Sequence, residues 1–562
     1  MKTKKIIIVG IVVMAIVLGM QAVAITNLSN TPQSPKKTLE LTKIEEPVRT
    51  GGPIKVKCQS IDPDFLGTPQ HSLSLMGTDR LVTGFPEYEG NPVLTIDNQG
   101  TLLLAYEYEQ DFLEQDALFT YSKDLGATWQ DSIGFQIDGR ESHPSAEYAG
   151  MVEGTNRAYA TFLSSAGQGA QTTLVNMIDV FDPETWEGAT YVWDDSGFYE
   201  FNSCDLVAFH DPIPIGTEEA EHFVAAFIGS FSGLSGYPDC VQTPHYMVDI
   251  GGGQGWIYWF YYNNSANVKM DIDKPGEMIY YTFQWGNNGN QDVIVLSTDL
   301  ENVGVTEDEG GWGDGMGEDR KYQITGTANT INPAIAADNN NVYLLLQSDQ
   351  DGNQDIVCYY SSDGGAIYDM SVVADTSADE MYPAVTANGK NAVCVFIKNN
   401  NLYSATTQDG GVSWKINNLP INDVDGSVMT QYGAADVSGN YGVWTDNRNG
   451  NGDIYLDETT SAPLVMVKDI SGGFGVSAEI TNEGTADASD VEWAMTFDVP
   501  LMILPSDGET RGTISSLAVG TSETVSSGLV LGFGKGTITV TVDGASKSVS
   551  GFVVGPFVLG VS

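Results

Sequence analysis

The sequence predicts an all-β protein: a β-propeller of about seven blades, six being the alternative count, followed by a small β-sandwich. Three observations predict it. A short motif that opens pairs of apolar strands recurs every 50 residues through the middle of the chain. A second, turn-forming motif recurs in register with it. After residue 461 both stop, and a different alternation of short strands begins.

Taken in order, the chain starts with Lys2, Lys4 and Lys5, then an uninterrupted apolar run over 6–20, then Gln21-Ala22-Val23-Ala24. A charged start, an apolar middle and a small-x-small end read as a signal peptide over 1–24, cleaved after Ala24. The alternative is an N-terminal anchor, because the apolar stretch 6–25 just reaches the length needed to span about 30 Å of hydrocarbon. Either way the protein is expected outside the cytoplasm, secreted or at the cell surface. Residues 25–60 are rich in Ser, Thr, Pro and Lys and read as a flexible spacer. The remainder divides into a propeller over 61–461 and a sandwich over 462–562.

Acidic residues outnumber basic ones by 74 to 25, a formal charge of -49. A phosphate backbone would be repelled, so nucleic acid is excluded as a partner. Cys58, Cys204, Cys240, Cys358 and Cys394 show no metal-ligand spacing. Export permits disulfides, with Cys204–Cys240 and Cys358–Cys394 as candidate pairs.

The repeat opens at Asn332-Pro333-Ala334, Tyr382-Pro383-Ala384 and Tyr432-Gly433-Ala434, with earlier copies at Asn91-Pro92 and His143-Pro144. Each copy continues as an alternating apolar strand, an Asn/Asp/Gly hairpin and a second apolar strand. The 189 residues between His143 and Asn332 hold room for three further units with longer loops. Strand units of 40 to 50 residues repeated this often are the mark of a propeller.

The second motif is Ser/Thr-x-Asp-x-Gly-x-x-aromatic. It comprises Ser122, Asp124, Gly126 and Trp129, then Ser361, Asp363, Gly365 and Tyr368, then Thr407, Asp409, Gly411 and Trp414. The Asp is expected to accept backbone N–H bonds, the Gly to supply positive φ and the aromatic to pack inward. These segments resemble the Asp boxes of sialidases and related propellers, and the resemblance implies a sialidase-like fold in which the box closes the hairpin between the third and fourth strands of a blade.

A further loop element recurs at 286–293, 349–356 and 446–455. The last, Asp446-Asn447-Arg448-Asn449-Gly450-Asn451-Gly452-Asp453-Ile454-Tyr455, resembles the loop joining second and third strands in propeller repeats of archaeal surface-layer proteins. In the middle copy Asp349, Asp351, Asn353 and Asp355 alternate hard oxygen donors and form a candidate Ca2+ site. The competing reading is that these side chains cap their own turn. An acidic loop over 307–319 is a weaker candidate for the same ion. Trp256, Tyr258, Trp259, Phe260, Tyr261 and Tyr262 are suited to sugar stacking, although aromatics on both faces of one strand favour burial between blades.

From residue 462 the strands are short and alternating, with Thr481-Asn482-Glu483-Gly484-Thr485-Ala486-Asp487-Ala488 between two of them. This stretch is similar to CARDB-type, immunoglobulin-like adhesion modules, which implies a spacing, attaching or binding role.

The sialidase resemblance implies three arginines on a substrate carboxylate, a Tyr nucleophile with its Glu, and an Asp acid/base. The propeller contains only Arg80, Arg140, Arg157, Arg320 and Arg448, and the family's Arg-Ile-Pro element is replaced by Val82-Thr83-Gly84-Phe85-Pro86. No catalytic residue is carried over. The expected function is non-catalytic binding or adhesion to a glycan or surface polymer. A sialidase-like glycoside hydrolase and a structural surface-layer component are the alternatives. Arginines gathered around the central channel would favour the hydrolase; scattered ones would favour binding. No cofactor beyond the candidate Ca2+ is implied, and a membrane is a partner only through residues 1–24 if they stay attached.

Overall fold

The structure is a computed structural model that describes residues 39–43 and, with gaps, 57–561. The larger gaps are 66–78, 110–114, 166–170, 193–198, 211–220, 232–240, 250–254, 260–263, 301–320, 460–464 and 483–487. Residues 39–562 form one compact unit. A single 3-10 turn stands at Pro183–Thr185.

Seven four-stranded antiparallel units succeed one another along the chain. Their innermost strands are Tyr88–Ile96, Arg140–Val152, Tyr199–His210, Ser265–Asp273, Thr330–Asp338, Glu380–Asn388 and Ala435–Ser438. Each of these packs against the next, and the seventh packs against the first, so the units are the blades of a seven-bladed propeller around a central channel. Apolar side chains fill the spaces between blades. Phe119 of blade 1 meets Phe162 of blade 2. Tyr280 of blade 4 shares a cluster with Leu344 of blade 5, and Val395 of blade 6 shares one with Trp444 of blade 7. Because both faces of a blade are covered, its second strand reads as a nearly unbroken apolar run: in Asn341–Ser348 every residue is buried.

The 189 residues between His143 and Asn332 contain the starts of two further blades rather than three, beginning at Tyr199 and Ser265. The long loops expected there take up the difference. The fourth strand of blade 7 comes from the other end of the propeller: Arg80–Leu81 pairs with Asp453–Glu458. The ring is therefore sealed by an N-terminal strand.

The stretch expected to be a flexible spacer also contributes strands. Leu39–Lys43 pairs with Lys321–Gly326, the outer strand of blade 4, and Lys57–Ile61 pairs with Trp186–Val192, the outer strand of blade 2. Pro63–Phe65 then covers Ile133–Phe135 of blade 1. Outer strands of a propeller are open edges, and an extended segment laid along them satisfies their free N–H and C=O groups. Leu39 and Leu41 add apolar contact with the blade 4 core.

The motif that opens each repeat is a β-bulge at the start of an inner strand. Asn91, His143, Asn332 and Tyr382 all adopt positive φ, between 48° and 54°, and the pairing register shifts around each of them. For a His or Tyr this conformation is strained and has to be held by its surroundings. The preceding blade holds it. The His143 N–H donates to Glu107 Oε1 (2.6 Å), that of Asn332 to Gln284 Oε1 (3.2 Å) and that of Tyr382 to Gln347 Oε1 (3.2 Å).

The C-terminal strands, from Val465–Asn482 to Phe557–Leu559, form an eight-stranded sheet folded around a core that includes Val476, Met495, Ile538 and Val553. This is the β-sandwich.

Candidate functional site

The central channel opens into a cavity of about 1900 Å³ lined by residues of the inner strands, by the segment from Thr406 to Leu419 of blade 6 and by Val465, Met466 and Ala545 of the C-terminal strands. Counted from the bulge, corresponding positions of blades 2, 3, 4 and 7 carry Glu147, Asp205, Asp271 and Asp436, and blade 1 carries Thr95. All five line the cavity. An inner strand is itself an edge, and the carboxylates meet part of its backbone demand. Asp205 Oδ2 accepts the Met270 N–H of the next blade (2.9 Å), and its Oδ1 accepts the Ser145 hydroxyl of the previous one (2.7 Å). Asp271 accepts the Ala337 N–H (2.6 Å). Asp436 accepts the Leu94 N–H (2.8 Å), linking the last blade to the first.

The chain places two lysines among these acids. Lys269 Nζ lies 3.9 Å from Asp205 Oδ2, and Lys274 Nζ donates to the Tyr148 carbonyl at 3.1 Å. Enclosure by the channel wall disfavours charge. It pushes Glu147 up to about 7, Lys274 pulling the other way and Asp205 and Asp436 adding to the rise. It pushes Asp271 up to about 8, with Glu147 contributing, and raises Asp436. For Lys269 burial works against the ammonium, yet Asp205, Tyr432 and Asp436 together hold its pKa above the ordinary lysine value. Tyr432, in the same group, is pushed up to about 12 by burial, and its hydroxyl has no hydrogen-bond partner. His143 at the rim is shifted down by burial against the opposing pull of Glu107. The cavity thus presents carboxyl groups, of which those of Glu147 and Asp271 are partly protonated at neutral pH, together with Lys269, Lys274 and Lys415 and with Tyr382 and Tyr432. This set can bond to hydroxyls and amines.

The arginines lie elsewhere. Among the described residues no arginine lines the cavity. Arg80, on the sealing strand, donates to the Leu125 carbonyl and pairs with Glu458 (3.5 Å). Arg140 bonds to Gln115 where blades 1 and 2 touch. Arg157 lies on the second strand of blade 2, and Arg320 is outside the described residues. Arg448 is buried between Asp446 (Nε–Oδ1 2.8 Å, Nη2–Oδ2 2.7 Å) and Asp79 (2.6 Å) and sits over the Tyr455 ring. It is a structural clamp between the closing blade and the segment that leads into the sealing strand.

The three octapeptides lie between third and fourth strands. Ser122 Oγ accepts the Gly126 N–H (2.8 Å), and Asp124 Oδ1 accepts the Ser122 hydroxyl and the Thr128 N–H (both 2.8 Å). Ser361 with Asp363, and Thr407 with Asp409, repeat these bonds to Gly365 and Ile367 and to Gly411 and Ser413. Gly126, Gly365 and Gly411 have φ of 83°, 79° and 92°. A side chain at Gly411 would also meet Tyr360 Cβ at 2.6 Å. Trp129 and Tyr368 are buried, and Trp414 packs edge-on against Tyr343. The exposed Asp409 is lowered to about 2, chiefly by its bonds from Ser413.

Of the candidate calcium donors, Asp349 takes two bonds from Asn329, at its N–H and its side-chain amide (both 2.8 Å). Asn353 donates to Asp355 and to the Thr376 and Ala378 carbonyls. Asp351 is exposed and Asp355 buried. Among the described residues no three acidic, His or Cys side chains come together as a metal-holding group. The weaker acidic candidate at 307–319 lies outside the described residues. Trp256, Tyr258 and Trp259 fall on Gly255–Trp259, the outer strand of blade 3; Phe260, Tyr261 and Tyr262 lie outside the described residues. Cys204, Cys358 and Cys394 are buried free thiols. The candidate Cys358–Cys394 pair is therefore not a disulfide: both sulfurs sit in the core between blades 5 and 6, where burial raises each thiol's pKa.

The carboxylates of the channel were not singled out from the sequence. Their signal was present in the repeat: the fourth residue after Asn91, His143, Tyr382 and Tyr432 is Thr95, Glu147, Thr386 and Asp436.

No protein-family model matches the chain, and no curated protein matches it in sequence. Solved structures that resemble it do so at low identity. Phage phi92 endosialidase aligns at 9% identity with a TM-score of 0.36, over 78% of this chain and 74% of its own. The polysaccharide lyase Uly1 aligns at 10% identity and 0.39, over 75% and 100%. Trypanosoma rangeli sialidase, solved with sialic acid, aligns at 11% identity and 0.31, over 93% and 91%.

Proposed function

We propose that the chain is an exported, cell-surface propeller that binds a carbohydrate or surface polymer at its central channel without cleaving it, and that its ligand is neutral or cationic rather than acidic. The observation that carries this reading is the make-up of the channel. Five inner-strand carboxyl groups, those of Glu147, Asp205, Asp271, Asp338 and Asp436, line the cavity, and no arginine among the described residues does. An acidic sugar would meet carboxylates where it needs guanidinium groups. Hydroxyls and amines, in contrast, are natural donors to Asp205, Asp436 and the ionised fraction of Glu147. The bonds that tie Asp205, Asp271 and Asp436 to neighbouring backbone N–H groups support a binding role, because carboxylates anchored in this way form a rigid lining.

The test is a glycan array with residues 39–562, run beside assays for sugar release. Retention of neutral or amino sugars, lost in Asp436→Asn, is the expected result. Retention of sialylated glycans alone would overturn the proposed ligand class.

A glycoside hydrolase for neutral sugars is the second reading. Glu147, which titrates near 7 beside the other carboxyl groups of the channel, favours it. Release of reducing sugar that falls at least a hundredfold in Glu147→Gln would establish it.

A further inference from the structure

The outer face of the sandwich changes character half-way along its strands. On Leu531–Val542 and Ala545–Gly555 the outward positions near the connecting turn are hydroxylic: Thr539 and Ser548 bond to each other across the strands. Beyond Lys535 and Ser550 they become apolar. There a single cross-strand row runs over five strands. Phe533 pairs with Leu501 on one side and Val554 on the other, Val554 pairs with Phe557, and Phe557 pairs with Phe474. Direct partners in a ladder share a face. This face is exposed: Phe474 by 66%, Phe533 by 58%, Leu501 by 53% and Phe557 by 48%. The alternate residues Val553 and Val558 fill the core. With Ile503 and Phe552 on the same face, the open apolar area is on the order of 800 Å², larger than the biggest patch of an ordinary soluble monomer.

Two further observations identify the occupant. Although the chain carries 74 acidic residues, none occurs in 470–478, 499–506, 524–542 or 544–561, the segments that build this half of the sandwich. The patch also consists of Phe, Leu, Ile and Val, without the Tyr, Trp and Arg that anchor protein interfaces through hydrogen bonds as well as area. Apart from Lys535, which stands at the edge of the patch across from Phe552, the surface has neither charges nor hydrogen-bonding side chains and matches a partner that has few such groups to pair. Its position fits too: Ser546, at the opposite end of these strands, touches Asn98 of the propeller, so the apolar end stands roughly 30 Å away from that contact.

We infer that this face docks on a lipid surface, its Phe and Leu side chains entering the acyl boundary of a bilayer with neutral headgroups, so that the sandwich is a foot on which the propeller stands. A strongly anionic bilayer is the poorer partner for a chain of formal charge -49. The inference is independent of the carbohydrate reading.

Residues 39–562, which hold every sheet of the fold and omit the apolar run at 6–20, should float with phosphatidylcholine vesicles. The double variant Phe533→Ser/Phe557→Ser should float at least tenfold less while keeping its circular dichroism. If that variant misfolds, Phe557→Trp in the parent decides: emission quenched by brominated phosphatidylcholine supports docking, and unquenched emission overturns it. Docking is also overturned if the parent stays with the soluble fraction, or if the folded double variant floats as the parent does. A dimer that the double variant dissolves, with no vesicle binding, would assign the face to a second copy of the chain instead.

Discussion

Arg448 Nη2 lies 2.6 Å from Asp79 Oδ2, a contact that crosses 369 residues of sequence and fastens the segment leading into the sealing strand to the blade it completes. The same guanidinium is bonded to Asp446, which also accepts the Trp444 indole N–H and the Ser427 hydroxyl. Both acids are fully enclosed and Arg448 is 7% exposed. Replacing Arg448 with Met leaves two carboxylates buried without a counter-charge. Such a loss costs about 3–5 kcal/mol, which urea denaturation of the propeller will read as an earlier midpoint at unchanged slope.

Stability should fall as pH rises from the acidic range. Burial pushes Glu89 up to about 8 despite bonds from the Phe85 N–H and the Thr83 hydroxyl, and Glu141 up to about 9 against a single bond from the Ala117 N–H. Asp271, in the channel, is pushed up to about 8. In the unfolded chain these groups release their protons near pH 4 to 4.5, so between there and pH 8 to 9 the folded state holds more protons. The stability they contribute is complete at the acidic end of this window and is lost as pH rises through the folded values. The melting temperature is expected to be higher at pH 5 than at pH 8.5, and Glu141→Gln should flatten part of that slope.

The turn octapeptides should be worth similar amounts in separate blades. Ser361 is buried, and its hydroxyl accepts the Gly365 N–H while donating to Asp363. Ser361→Ala leaves a buried N–H without an acceptor, at a cost of about 1–2 kcal/mol. The corresponding change at Ser122, in blade 1, should add to it in the double variant, because the two sites share no partner. Thermal unfolding of the single and double variants checks both statements.

Asp349 is expected to act on stability rather than on calcium affinity. Its two bonds from Asn329 are lost in Asp349→Ala, and the variant should melt several degrees lower by the same margin in millimolar calcium and in chelator. A calcium-dependent difference between parent and variant would restore this loop as an ion site.

What was legible in the sequence was whatever is local. The octapeptide at Ser361 contains its own donors, acceptors and glycine, so its pattern carries its meaning. The bulge at Asn332-Pro333 marks a strand start for the same reason, and together these two motifs place the blades. Features that need two distant segments were not legible. Leu39–Lys43 has a weak strand signal and pairs because blade 4 offers an open edge. Arg80–Leu81 is too short for any periodicity to register. The channel site lies between these extremes: each carboxylate occupies a repeat position, but only the closing of seven strands brings them together. At Asp349 the sequence displayed oxygen donors and concealed Asn329, 20 residues away, which occupies them.

The sealing strand also sets an order of events in time. Arg80–Leu81 leaves the ribosome before any blade is complete, while its partner Asp453–Glu458 is made last of all the propeller strands. At about 5–20 residues per second the two are separated by roughly 20 to 75 seconds of synthesis. During that interval six blades can assemble side by side, but the ring stays open, with the apolar flanks of its first and last blades uncovered. The most vulnerable form of this protein is therefore the nearly finished chain, and whatever accompanies it through synthesis must shield those two flanks until the final strand arrives.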